Sequence, residues 1–175
     1  FKKERTNITD YFPSKVLYNI KPHFNERGAT EVLENKLFFN FFYQQFNISL
    51  PKILMYNHRN VFVVKNEIHH INTPAEFVAL LAEVFKSSQI TDSIYIKRTY
   101  GTYGGNKVFK LLVNELDINS ESVNDLFKEV ILSSYLFQET IRQHPEMNKL
   151  NSSCLNTIRM DTFIDQDGKI DIISA

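Results

Sequence analysis

A single cysteine, Cys154, stands among 175 residues, so no intramolecular disulfide can form, and no paired Cys/His spacing of a structural zinc site is present. That usage fits a reducing compartment. Net charge is missing as well: 20 Lys and Arg balance 20 Asp and Glu. No overall field draws the molecule to nucleic acid or to an anionic membrane, and any basic site has to be local. No apolar run reaches the roughly 20 residues of a membrane-spanning helix, and the opening Phe1-Lys2-Lys3-Glu4-Arg5 lacks the apolar stretch of a secretory signal. The expectation is a cytoplasmic protein. Glycine is scarce, with 5 in the chain, yet Gly101, Gly104 and Gly105 crowd into one short stretch. What is present, 43% hydrophobic and 23% charged residues, is the balance of a packed domain rather than a disordered tail. The length allows one good-sized core or two small lobes sharing a cleft. The chain begins without Met and ends at Ile172-Ile173-Ser174-Ala175, which reads as mid-strand and sets the expectation of a fragment.

Periodicity organises the chain. Residues 1–30 show no sustained pattern. Val32, Leu33, Phe38, Phe39, Phe42 and Phe46 fall at helical spacing, which predicts one buried amphipathic helix from Glu31 to Phe46, its phenylalanines in the core. Lys52 to Tyr56 and Val61 to Lys65 read as a hairpin joined by the polar stretch Asn57 to Asn60. Thr73 before Pro74 opens a helix that Phe77, Leu80, Leu81, Val84 and Phe85 continue. Ser93 to Lys97 and Lys107 to Val113 are strands flanking the glycine loop. A helix runs from Ser120 to Ser122 through Ile131, before a strand from Tyr135 to Glu139. After a turn at His144-Pro145, Leu155 to Ile164 and Lys169 to Ile173 form a second hairpin around the Asp165 to Gly168 turn. The result is an α+β chain in three parts: a helical segment over 1–50, a smaller lobe over 51–137, and a hinge with the start of a second lobe over 138–175. His69 and His70 adjoin on an alternating stretch and so point to opposite faces, which suits no metal pair.

Three clusters bear on chemistry. Lys97 ends a strand beside Gly101, Gly104 and Gly105, placing a cation where unobstructed backbone N–H groups can approach phosphate oxygens. A plain hairpin loop with turn glycines is the competing reading. The loop is not a P-loop, since no Gly-Lys-Ser/Thr follows, nor a dinucleotide fingerprint, since no helix follows it. Protein-kinase order fails because the strand lysine precedes the glycines. Gln138-Glu139-Thr140-Ile141 is a strand edge able to offer backbone groups to a planar base, or simply the polar end of a buried strand. In Asn156-Thr157-Ile158-Arg159 a guanidinium in an apolar strand invites an anionic ligand, or an internal partner such as Asp161 or Asp165.

These features in this order resemble the ATP-grasp superfamily, and most closely its sugar-transfer-associated branch. The resemblance rests on Glu34-Asn35-Lys36, Leu50-Pro51, Ile96-Lys97 with the glycine loop, Phe137-Gln138-Glu139 with Ile141, and Leu155 to Arg159, over roughly residues 31–175. It implies two lobes with a nucleotide cleft between them, the second lobe incomplete here. Lys36 and Lys97 would contact the phosphates of ATP, and Gly101, Gly104 and Gly105 would cover them. Gln138, Glu139, Thr140 and Ile141 would read adenine, chiefly through backbone groups, and Arg159 would be the catalytic residue that stabilises transferred charge. Asn35 stands where many relatives have Asp. Mg²⁺ is expected for the complete enzyme, but its ligands in relatives lie downstream, and Asp161, Asp165 and Asp167 do not match them, so no metal residue is assigned. The implied activity is an ADP-forming, carboxylate-activating ligase of cell-envelope polysaccharide synthesis, acting on an unidentified small molecule or saccharide. This chain alone is expected to be inactive and able to self-associate through the strand edge near Lys169 to Ala175. The rival readings are a non-catalytic nucleotide-binding or protein-interaction module and an ATP-dependent phosphotransferase of the same fold.

Overall fold

The computed structural model describes residues 25–102, 104–158 and 160–174, together with Lys15, Val16, Asn19, Ile20 and His23. Two compact units divide the chain, Phe1–Thr140 and Ile141–Ala175. In the first, a six-stranded antiparallel sheet has the order β3-β2-β1-β6-β4-β5. Its strands are β1 (Ile53–His58), β2 (Val61–Val64), β3 (Glu67–His70), β4 (Ser93–Arg98), β5 (Val108–Leu112) and β6 (Ser134–Glu139). Helices α1 (Arg27–Glu34) and α2 (Lys36–Tyr43) precede the sheet, while α3 (Pro74–Ser87) and α4 (Glu121–Val130) supply its hydrophobic cover.

The Thr73-Pro74 start signal produces a complete capping box. The Glu76 N–H donates to Thr73 Oγ1 at 3.3 Å, and the Glu76 carboxylate accepts from the Thr73 and Asn72 N–H groups at 3.1 and 2.8 Å. These bonds satisfy donors that the first helical turn leaves unpaired. The apolar stripe of α3 then buries Phe77, Leu80, Leu81, Val84 and Phe85, each burial stabilising by about 1.5–3 kcal/mol relative to exposure. Phe77 sits at the centre, with ring centroids 5.8 Å from Phe62, 5.5 Å from Phe127 and 6.3 Å from Phe137. Because strand side chains alternate, Tyr135 and Phe137 on β6 and Ile94 and Ile96 on β4 join this core. The opposite face receives Leu136 and the residues paired with it, Tyr56 on β1 and Lys97 on β4.

The structure corrects several sequence expectations. The single helix over Glu31 to Phe46 is two helices, because Asn35 adopts an extended conformation and its Oδ1 accepts from the N–H groups of Leu37 and Phe38 at 3.0 and 3.3 Å. Asparagine competes for backbone donors and so starts a helix more readily than it continues one. The break resets the helical phase, and the phenylalanines are not core: Phe38, Phe41, Phe42 and Phe46 are 38–54% exposed. The residue buried in α2 is Asn40, whose amide donates to the Pro51 carbonyl at 3.2 Å. Asn57 belongs to β1 rather than to a polar connector and is buried. Its amide donates to the carbonyls of Arg59 and Val130 at 2.6 and 3.0 Å and accepts the Tyr135 N–H at 3.0 Å. A further strand, β3, returns from β2 through Lys65 and Asn66, both at positive φ (48° and 71°), the conformation a tight hairpin requires.

In the second unit the His144-Pro145 turn is the start of a short helix, α5 (Pro145–Asn148), followed by the hairpin of β7 (Asp161–Ile164) and β8 (Ile170–Ser174). Residues 155–158 are not strand, contrary to expectation. The Asn156 amide is taken up locally, donating to the carbonyls of Met147 and Asn151 at 2.9 and 2.8 Å, and such side-chain bonding competes with a ladder. Asp165 closes the hairpin turn by accepting the N–H groups of Asp167 and Lys169 at 3.0 and 2.8 Å.

Candidate functional site

The helix break at Asn35 sets the position of Lys36. As the first residue of α2, Lys36 donates its backbone N–H to the Thr99 carbonyl at 2.8 Å, tying the helix start to the end of β4. Its ammonium donates to Thr102 Oγ1 at 3.1 Å. Lys97, one residue before the end of β4, lies on the sheet face away from α3 and α4, its Nζ 5.9 Å from the Tyr95 ring centroid. Burial holds the Lys36 ammonium below the usual lysine pKa. The Lys97 ammonium is lowered first by burial and then by the positive charge of Lys36. Among the described residues neither lysine forms an ion pair. Two partly dehydrated cations that repel each other are an unfavourable arrangement on their own, and an anion placed between them relieves it.

Beside them the chain from Thr99 to Lys107 forms the glycine loop. Gly101, Gly104 and Gly105 have φ of 71°, 62° and 78°, and a Cβ at any of them would meet nothing within 4 Å. Backbone conformation, not space, is what calls for glycine here. The loop is pinned where it leaves the sheet, by Thr99 N–H to the Ser134 carbonyl at 3.0 Å, and again where the Arg98 N–H donates to the Lys107 carbonyl at 3.2 Å.

The Gln138 to Ile141 edge is differently employed. Gln138 is buried, with its amide 3.5 Å from the Pro51 carbonyl. Glu139 exchanges two bonds with Lys52, its N–H to the Lys52 carbonyl at 3.1 Å and its Oε1 accepting the Lys52 N–H at 2.9 Å. The Thr140 hydroxyl donates to the Ser93 carbonyl at 2.8 Å. The side chains of Glu139 and Thr140 thus lock β6 to β1 and β4. Ile141, the first residue of the second unit, is exposed.

A family model described as Sugar-transfer associated ATP-grasp matches residues 17–175. The chain belongs to that family. No curated protein and no solved structure shows significant similarity to it. Membership gives this ATP-grasp chain an ATP-binding, ligase-like fold, and the mixed helices and antiparallel sheet agree with it. Arg159, the residue expected to stabilise transferred charge, lies outside the described residues. ATP-grasp proteins bind Mg²⁺ with ATP. Among the described residues, however, no group of three or more His, Cys, Asp or Glu side chains could hold a metal ion, and none is assigned to it. Among those residues no helix is long and apolar enough to cross a membrane.

Sequence reasoning missed one contact at the root of the glycine loop. Lys107, which closes the glycine loop, donates to Glu129 Oε2 at 2.8 Å, and Glu129 Oε1 accepts from the Tyr135 hydroxyl at 2.5 Å. Both bonds to the carboxylate hold Glu129 below the ordinary carboxylate pKa, the one from Lys107 foremost. Burial and the neighbouring carboxylate push the Tyr135 phenol upward. Lys107 lies in the loop and Glu129 in α4, and no periodic or motif signal links them.

Proposed function

We propose that the chain is the ATP-binding part of an ADP-forming ATP-grasp enzyme. The observation that carries this reading is the pair of half-buried lysines, Lys36 and Lys97, drawn together without a carboxylate partner among the described residues. In this reading the nucleotide phosphates take the place of that partner. The backbone N–H groups of Gly101, Gly104 and Gly105 approach the phosphate oxygens. The backbone where the chain leaves β6, at Thr140 and Ile141, reads adenine, since that of Gln138 and Glu139 is engaged with the neighbouring strands. Arg159 stabilises charge on the transferred phosphate or on an acyl-phosphate. Mg²⁺, when bound with ATP, neutralises charge between the terminal phosphates. The donor is a carboxylate and the acceptor an amine or other nucleophile, in cytoplasmic synthesis of a cell-envelope polysaccharide. Residues 51–137 then form the smaller ATP-grasp lobe, and 138–175 the hinge and the beginning of the next.

Calorimetric titration with ATP, ADP and adenosine tests the reading. Binding of both nucleotides with adenosine at least about tenfold weaker is expected, the size of one charge-assisted phosphate contact. Equal affinity for adenosine would remove the lysines from the site, and no binding of any of the three would remove the nucleotide.

A further inference from the structure

We propose that Glu129 is a positioning residue for the glycine loop, acting through Lys107; the functional meaning of that loop rests on the nucleotide reading above. Lys107 is the last residue before β5 and has φ of 54°, a left-handed conformation that a side chain rarely adopts. Gly104 and Gly105, separated from it by Asn106 alone, share that sign, so the direction of their N–H groups depends on how firmly Lys107 is held. Two contacts hold it. Its carbonyl accepts the Arg98 N–H at 3.2 Å, and its ammonium donates to Glu129 at 2.8 Å.

Glu129 is itself held from behind. Its second carboxylate oxygen accepts from Tyr135, a fully buried residue of the central strand β6, and the Tyr135 ring lies 6.2 Å from that of Phe109, two residues beyond Lys107. A continuous path therefore runs from the middle of the sheet, through the α4 carboxylate, to the root of the loop. The ion pair also differs in kind from the others among the described residues. Those join residues two to four apart, with both side chains at least 58% exposed. Lys107 and Glu129 are 22 residues apart and only 37% and 26% exposed. Partial burial and a second hydrogen bond make such a pair geometrically selective where a solvated pair is not.

The test compares wild type with Glu129→Gln and with the charge swap Lys107→Glu/Glu129→Lys. It reads amide hydrogen exchange in the nucleotide-free protein and ADP affinity by calorimetry. In Glu129→Gln, exchange of the Gly104 to Lys107 amides accelerates about tenfold, the effect of one charge-assisted hydrogen bond, while the α3 amides keep their wild-type rates. ADP affinity falls by a similar factor, and the swap restores both. Unchanged exchange in the loop, or acceleration shared equally with α3, overturns the proposal. Should Glu129→Gln fail to fold, Tyr135→Phe removes the rear contact alone and is expected to accelerate the same amides to a smaller degree. If wild type binds no ADP, the nucleotide reading falls while the exchange data still decide whether Glu129 positions the loop.

Discussion

Replacing Lys97 by Met keeps the aliphatic stem on the sheet face and deletes the ammonium. In the nucleotide-free protein that ammonium is partly dehydrated and repelled by Lys36, so the substitution should raise stability at neutral pH. The melting temperature gains about 2–4 °C for each kcal/mol relieved in a chain of this size. A lysine whose pKa is lowered on folding weighs against the fold most fully below that lowered value. The penalty disappears as pH rises through it toward the ordinary value of 10.5. The advantage of Lys97→Met over wild type should therefore shrink across the alkaline range. Nucleotide binding should move the other way. Loss of one of the two lysine contacts to phosphate costs about 1.5–3 kcal/mol, or roughly 10- to 150-fold in Kd for ADP. Thermal melts between pH 7 and 10.5 and calorimetry at pH 7 measure both effects. A less stable variant with unchanged affinity would refute the electrostatic account of the pair.

The buried Asn57 offers a pure stability test: Asn57→Ala takes the side-chain acceptor from the Tyr135 N–H and leaves the Val130 carbonyl with the Ser133 N–H as its remaining donor, and urea unfolding should show a loss of about 2–4 kcal/mol. Asn35→Ala removes the N-cap of α2, which should cost about 1 kcal/mol and, by loosening the Lys36 anchor, weaken ADP binding in calorimetry. Glu129 supplies an acid-dependent contribution. Its lowered pKa means that its stabilisation is present above the ordinary carboxylate value and is lost as pH falls through the depressed one. Glu129→Gln should accordingly flatten the acid limb of a stability profile measured by urea melts from pH 2 to 6.

Elements whose residues agree locally were legible in the sequence. The Thr73-Pro74 start and the stripe from Phe77 to Phe85 specify α3 by capping chemistry and periodicity together, and β4, β5 and β6 follow from their β-branched and aromatic content. Where tertiary context decides, the pattern misleads. Asn35 lies among apolar residues that stay in helical phase across it, so only its bonds to Leu37 and Phe38 reveal the break. Glu67-Ile68-His69-His70 has a single strongly apolar residue and is a strand because β2 pairs with it. Lys97 was legible from its place at a strand end beside the glycines, whereas Lys36 reached the candidate site through resemblance, since nothing local indicates that its backbone bond to Thr99 brings the two close. The Lys107–Glu129 contact had no counterpart in the sequence at all.

The strand order has a consequence for how the chain comes to be folded. β6 is the last strand of the first unit to leave the ribosome, yet it occupies an interior position between β1 and β4. Before it arrives, the β1–β3 meander and the β4–β5 hairpin have no ladder joining them. When it does, its Tyr135 N–H meets Asn57, 78 residues earlier in the chain. Closing pairs at that separation is slow, and both facing edges stay open while it is pending. Nascent chains arrested before Ser134 should therefore behave as two aggregation-prone β fragments rather than as a sheet lacking one edge, with the glycine loop already made but the Tyr135 on which its root depends not yet in place.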